Sequence, residues 1–198
     1  MKKFLFFIAL SLTIFTNHVF SVEPDVFVQS TVNRASQILS STSAKEEKIE
    51  KLQVVAKETV DIKGIGFYTL GAYRKNLNND QKKEYSVLFE KYFLKSFASR
   101  LAEYSNPEIE VNSKEKLSEN YTMVSSILVA TDKRPEIKID WRIYTKNSEN
   151  PLIRDLIIEG LSLARTQKEE FSSIINSNDG NIDALFETLK EFTNWSVN

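Results

Sequence analysis

Cysteine is absent from this chain, and histidine occurs once in 198 residues. Without cysteine there is no disulfide staple and no thiol nucleophile, so the fold relies on packing alone. The one histidine, His18, falls inside a segment that reads as a removable leader. What remains after its removal has neither His nor Cys, which excludes His-dependent triads and the usual zinc and copper sites. Only carboxylates, lysines, tyrosines and hydroxyls are left for chemistry. Charge of one sign is not in excess either, with 26 Lys and Arg against 27 Asp and Glu. The long basic patch that duplex binding needs is therefore missing, and nucleic acid is excluded as a partner. No Gly-rich phosphate loop is present, so any ATP use lies in another protein.

The opening "MKKFLFFIALSLTIFTNHVFSV" places two lysines before an apolar run over residues 4–15, then a short mixed segment ending in Val19, Phe20 and Ser21. That layout predicts a secretory signal peptide over residues 1–21, cut after Ser21. The run is shorter than the roughly 18 apolar residues needed to span a bilayer. No cysteine is available to carry a lipid anchor. Cleavage leaves residues 22–198, a length of 177 that suits one domain with a sizeable core, and 24 basic residues against 27 acidic, a net charge of −3.

Helical spacing dominates the first half. Pro24 suits the first turn of a helix that carries Phe27, Thr31, Ile38 and Leu39. Ser43 and Glu46 have capping-box spacing and open a second helix through Ile49, Leu52, Val55, Ala56 and Val60. In "VDIKGIGFYTLGAYRKNLNNDQ", Asp61 caps a short helix that stops near Gly71, and Gly64 and Gly66 allow another element close to its backbone. Asn78 and Gln81 cap the strongest helix, in which Tyr85, Leu88, Phe89, Tyr92, Phe93, Phe97, Leu101 and Tyr104 follow steps of three and four.

After Pro107 the period becomes two. "PEIEV", "NYTMVSSILVAT", "PEIKIDWRIYT" and "PLIRDLII" read as four strands joined by short polar loops, which favours an antiparallel meander. Ile137, Ile139, Trp141 and Ile143 share one face of the third strand, with Lys138, Asp140 and Arg142 opposite. Leu152, Leu156 and Ile158 are expected on the matching face of the fourth. Asp155 and Glu159 are expected as exposed carboxylates, and Gly160 as the flexible link to a helix over residues 161–175. A last helix carries Ile182, Leu185, Phe186, Leu189 and Phe192. Helices, then strands, then helices predict an α+β domain, with helices on one face of a twisted, mainly antiparallel sheet of four or five strands.

Two stretches carry a family pattern. "VDIKGIGFYTLGAYRKNLNNDQKKEYSVLFEKYFLKSFASRLAEY" holds an Asp, a Leu-Gly pair, an aromatic-Arg pair and a Phe/Tyr-rich helix opening after Gln-Lys. "RDLIIEGLSLARTQKEEF" holds a strand with Asp, then Glu-Gly-hydrophobic-Ser-Leu, then a helix ending in Phe. In order and spacing, over essentially the whole mature chain, this resembles the periplasmic phospholipid-binding MlaC family, the toluene-tolerance auxiliary proteins of ABC transporters. Tyr73 and Gln167-Lys168 stand where members usually have Trp and Tyr-Arg.

The resemblance implies a periplasmic carrier without catalytic activity or cofactor, expected to be a monomer. It would shield the acyl tails of a phospholipid ligand in an apolar cavity between sheet and helices. It would shuttle lipid between an outer-membrane lipoprotein–porin complex and an inner-membrane ABC transporter complex, maintaining outer-membrane lipid asymmetry. The expected lipid-binding residues are Ile137, Ile139, Trp141, Ile143, Leu156 and Ile158 as floor, and Phe89, Phe93 and Phe97 as wall, with Phe67 and Leu70 from the preceding short helix. A hopanoid or another apolar lipid stays open as the cargo. So does a cone-shaped α+β isomerase or cyclase, which would need a carboxylate inside the cavity. Asp140, opposite Trp141 in the strand pattern, argues against it. Arg74 and Lys75 are candidates for a phosphate or an acidic partner.

Overall fold

The computed structural model describes residues 21–104 and 107–194. The expected leader, apart from Ser21, lies outside the described residues. Six helices and a five-stranded antiparallel sheet form the expected α+β arrangement. None of the described helices is long and apolar enough to cross a membrane.

Helix α1 (Pro24–Ser40) starts at its proline and buries Val28, Thr31, Val32 and Leu39, a face turned slightly from the one read in the sequence. Phe27 is only partly buried against the core. Helix α2 (Lys45–Thr59) has Ala44 as its N-cap with no side-chain cap, so the expected Ser43–Glu46 capping box does not form. The helix opens one residue too late for the Ser43 hydroxyl to reach the orphan amides. Asp61 caps α3 (Ile62–Thr69) by accepting from the Gly64 N–H at 2.8 Å, and a single 3₁₀ turn follows at Tyr73–Lys75. The capping box of Asn78 and Gln81 opens α4 (Asn79–Leu101) with both reciprocal bonds present.

The sheet is a meander in the order β1 (Ile109–Ser118), β2 (Tyr121–Leu128), β3 (Ile137–Tyr144), β4 (Leu152–Ile158) and β5 (Leu161–Ser162). Strand β1 runs far beyond the expected "PEIEV", through the polar segment "NSKEKLS", because pairing with β2 continues there even though the side chains stay exposed. The segment expected to open the next helix instead forms β5. Glu159 and Gly160, at φ +49 and +82, make the two-residue turn that lets Leu161 pair with Ile158. Helix α5 (Leu163–Asn176) then starts with Ser162 as its N-cap, and α6 (Ile182–Asn194) ends the described chain.

A bulge in β4 changes one expectation. Trp141 faces Leu156 and Arg142 faces Asp155, but Ile143 faces Ile153, so Arg154 is the extra residue. The slip reverses facing beyond it. Ile153, not Leu152, becomes the buried partner of Ile143.

All the helices lie on the face of Val124, Ile139, Trp141 and Ile143. The helices approach unevenly: α1 packs over β1 and β2, while α3 and α5 pack over β4. The main backbone neighbours of β3 are its two flanking strands. Over β3, layer meets layer through side chains.

Candidate functional site

The residues expected to hold lipid converge. Leu70, Phe89, Ile139, Trp141 and Ile143 are buried in one hydrophobic cluster, and Phe67, Phe93, Phe97, Ile137 and Leu156 pack against it partly buried. Ile158 is half-buried beside the β4–β5 turn, outside that cluster. The clustered residues line one shared apolar interior between sheet and helices. Two surface grooves, of about 630 and 600 Å³, are lined by none of them.

The helical wall is a run of rings. Tyr85, Phe89, Phe93 and Phe97 climb one side of α4 with centroid separations of 5.8, 6.1 and 5.4 Å. Phe171 of α5 meets Phe89 edge-on at 6.2 Å, and Phe186 of α6 stacks on Tyr85 at 5.9 Å. The close fit of α3 to this wall depends on Gly66, where an added Cβ would lie 2.7 Å from the Phe89 ring. Leu94 and Ala98, on another side of α4, are also buried. Helix α4 is thus enclosed by α2, α3 and α6, and its apolar stripe is broad.

Two bonded polar clusters reach the interior. The Trp141 Nε1–H donates to Ser126 Oγ at 2.8 Å, and that hydroxyl donates to the Ile139 carbonyl at 3.1 Å. The Tyr85 hydroxyl shares a 2.8 Å bond with Thr69 Oγ1 and donates to the Gly66 carbonyl at 3.1 Å. Burial pushes the Tyr85 phenol far above the ordinary tyrosine range, and pushes Tyr92 upward as well. Asp140 points away from Trp141, accepting from Ser125 Oγ at 2.6 Å and pairing with Lys138. The carboxylate that an isomerase reading places inside the cavity is not Asp140.

Sequence reasoning missed two junctions that position the wall. Asp155 was expected to be exposed, yet its side chain is 2% exposed. It accepts from Ser162 Oγ at 2.6 Å and from the Ala164 N–H at 3.0 Å, with Arg142 3.4 Å away. It therefore fastens the start of α5 to the sheet. The signal was the hydroxyl of Ser162 seven residues on, readable only once the β4–β5 turn is known. At the other junction, Arg154 donates from Nε to Asp61 at 2.6 Å and stands 3.7 Å over the Tyr144 ring. Asp61 thus both caps α3 and joins it to β4, beside the Asp61 N–H bond to the Ile153 carbonyl at 2.9 Å. Arg74 and Lys75 are exposed.

Comparison with known proteins agrees with this architecture. The chain is 23% identical over 168 residues to the intermembrane phospholipid transport system binding protein MlaC of Haemophilus influenzae, covering 79% of this chain and 77% of that one. A phospholipid-binding protein from Ralstonia solanacearum, solved in complex with a phospholipid, superposes with a TM-score of 0.73 at 17% identity, covering 87% of this chain and 97% of that one. That likeness establishes the shared fold. The model of the MlaC protein family matches residues 29–191, and the chain belongs to that family.

Proposed function

We propose that this chain is a periplasmic phospholipid carrier, exported by a leader cleaved after Ser21, whose single domain over 22–198 holds acyl tails between β3 and α4. The observation that carries the reading is the aromatic wall of α4 sharing one cluster with the inward row of β3, in a member of the MlaC family. The phospholipid named for the relatives from Haemophilus influenzae and Ralstonia solanacearum supports the cargo class.

In this reading the tails enter as α4 and its neighbours draw back from β3. The uneven approach of the helices suits that movement: α1 stays with β1 and β2, and α3 and α5 stay with β4. Each buried CH₂ contributes about 0.8 kcal/mol relative to water, so two tails of roughly thirty carbons represent on the order of 20 kcal/mol. Free lipid in water is therefore negligible, and a carrier must shield it. Against a membrane the exchange is nearly neutral, because the tails leave one apolar medium for another, and loading and unloading are both allowed.

Direction then comes from partners that favour one state of the carrier over the other. The family implies an outer-membrane lipoprotein–porin complex and an inner-membrane ABC transporter in these roles. Catalysis is not part of the reading.

Native mass spectrometry of the protein purified from its own cell envelope tests it. A bound species whose mass and extract identify a phospholipid is expected. Protein that is always lipid-free, or that carries only hopanoid, would overturn the assignment.

A further inference from the structure

Strand β1 lies at the edge of the sheet and pairs with β2 on one side. The Val129 N–H donates to the Glu108 carbonyl at 2.9 Å, and Ile109 and Glu110 stand opposite Leu128 and Ile127. In an antiparallel ladder, backbone groups point alternately toward and away from the partner. Glu108 and Glu110 therefore face β2 with their backbones, while Ile109 and Val111 turn theirs to the open side. Among the described residues, no backbone bond outside the β1–β2 ladder is made by residues 109–118.

Beside this edge runs the groove of about 600 Å³, lined by Gln29, Val32, Asn33 and Ser36 of α1 and by residues 107–112. Helix α1 is tied to β1 at two separated points. Lys114 bridges Glu23 and Asp25 near the start of α1, and Ser36 Oγ donates to the Pro107 carbonyl at 2.9 Å toward its other end. The groove lies on the stretch between the ties.

We infer that this edge binds an extended, lysine- or arginine-bearing segment of a partner protein, which adds to the sheet as a strand beside β1. The charge pattern selects that occupant. Glu108 and Glu110 are exposed on the outer face, and neither has an ion-pair partner among the described residues. Residues directly opposite on adjacent strands share a face. A basic residue at every second position would meet these carboxylates, and the alternate small apolar residues would enter the groove over Val32. A second copy of the chain fits worse, because self-pairing centred here sets Glu110 against Glu110. The interaction is the strand-addition mode, in which main-chain bonds give affinity and alternate side chains give specificity.

The test titrates isotope-labelled protein with a blocked heptapeptide alternating lysine and valine, followed by amide NMR. Shifts confined to residues 108–112 and the facing turns of α1 are expected. The double variant Glu108→Gln, Glu110→Gln should weaken binding roughly three- to tenfold. Val111→Pro, which removes one edge-facing N–H at a position where an edge strand tolerates proline, should weaken it by about fivefold. If circular dichroism shows Val111→Pro unfolded, the glutamine pair alone decides. No binding at millimolar peptide, shifts spread over other acidic surfaces, or affinity unchanged in the glutamine pair would overturn the inference. So would dimerisation through this edge in sedimentation.

Discussion

Gly66 and Phe89 are packed so closely that a methyl group on Gly66 would lie 2.7 Å from the ring. Helix α3 can lie against the aromatic wall of α4 only because that methyl is missing. Gly66→Ala improves helix propensity by about 1 kcal/mol, but overpacking of a tight core costs about 1–3 kcal/mol. A net loss of about 1 kcal/mol is expected in urea denaturation. Adding Phe89→Leu should make the alanine less harmful than it is alone, a non-additivity that an unrelated helix effect would not produce.

Asp155 is predicted to be more important than its place in a strand suggests. Replacing it with alanine leaves the Ala164 N–H and the Ser162 hydroxyl without their acceptor and Arg142 without its carboxylate, so a loss of about 3 kcal/mol is expected. Asp155→Asn keeps one acceptor oxygen and should lose less. Chemical denaturation of the two variants side by side gives the comparison.

Asp61 is predicted to behave similarly, for two reasons at once. Asp61→Ala removes the cap of α3, worth about 1 kcal/mol, and takes away the carboxylate partner of Arg154, which keeps its bond to the Tyr121 hydroxyl. Asp61→Asn can still accept from the Gly64 amide, so it separates the cap from the charge. Loss in the alanine variant alone would show that only the cap matters; loss in both would show that the pair does.

Alkaline stability follows from Tyr85. Burial raises its folded pKa above the unfolded value of about 10. The unfolded chain then gives up this proton first, so the stabilisation is complete below about pH 10 and falls as pH rises beyond it. Tyr85→Phe should cost about 1 kcal/mol at neutral pH, through the bonds lost to Thr69 and Gly66. It should also flatten the decline above pH 10. Thermal melts across pH 8–11.5 check both, and an equally steep alkaline decline in the variant would refute the attribution.

Much of the fold was legible because periodicity reports burial. The rows Ile137 to Ile143 and Tyr85 to Phe97 are governed by one face each, and the sequence period shows which. The Asn78–Gln81 cap was legible for a similar reason, being a local bond between residues three apart. Ser43 and Glu46 had the same spacing and failed, since a cap also depends on where the chain enters the helix. The bulge at Arg154 and the burial of Asp155 were not legible, because both arise from pairing with elements distant in the sequence. The inward facing of Phe89, Ile139, Trp141 and Ile143 was legible in the period, but a role in holding lipid was not, because a packed core and a lipid-holding interior draw on the same side chains.

Trp141 gives the most direct test of the central claim. In a Trp195→Phe background it is the one tryptophan left, since the chain has two. Loading with a phospholipid brominated along its acyl chains should quench its emission strongly, while the same lipid without bromine leaves it bright. Confirmed binding of the brominated lipid with Trp141 emission unchanged would contradict an acyl chain lodged between β3 and α4.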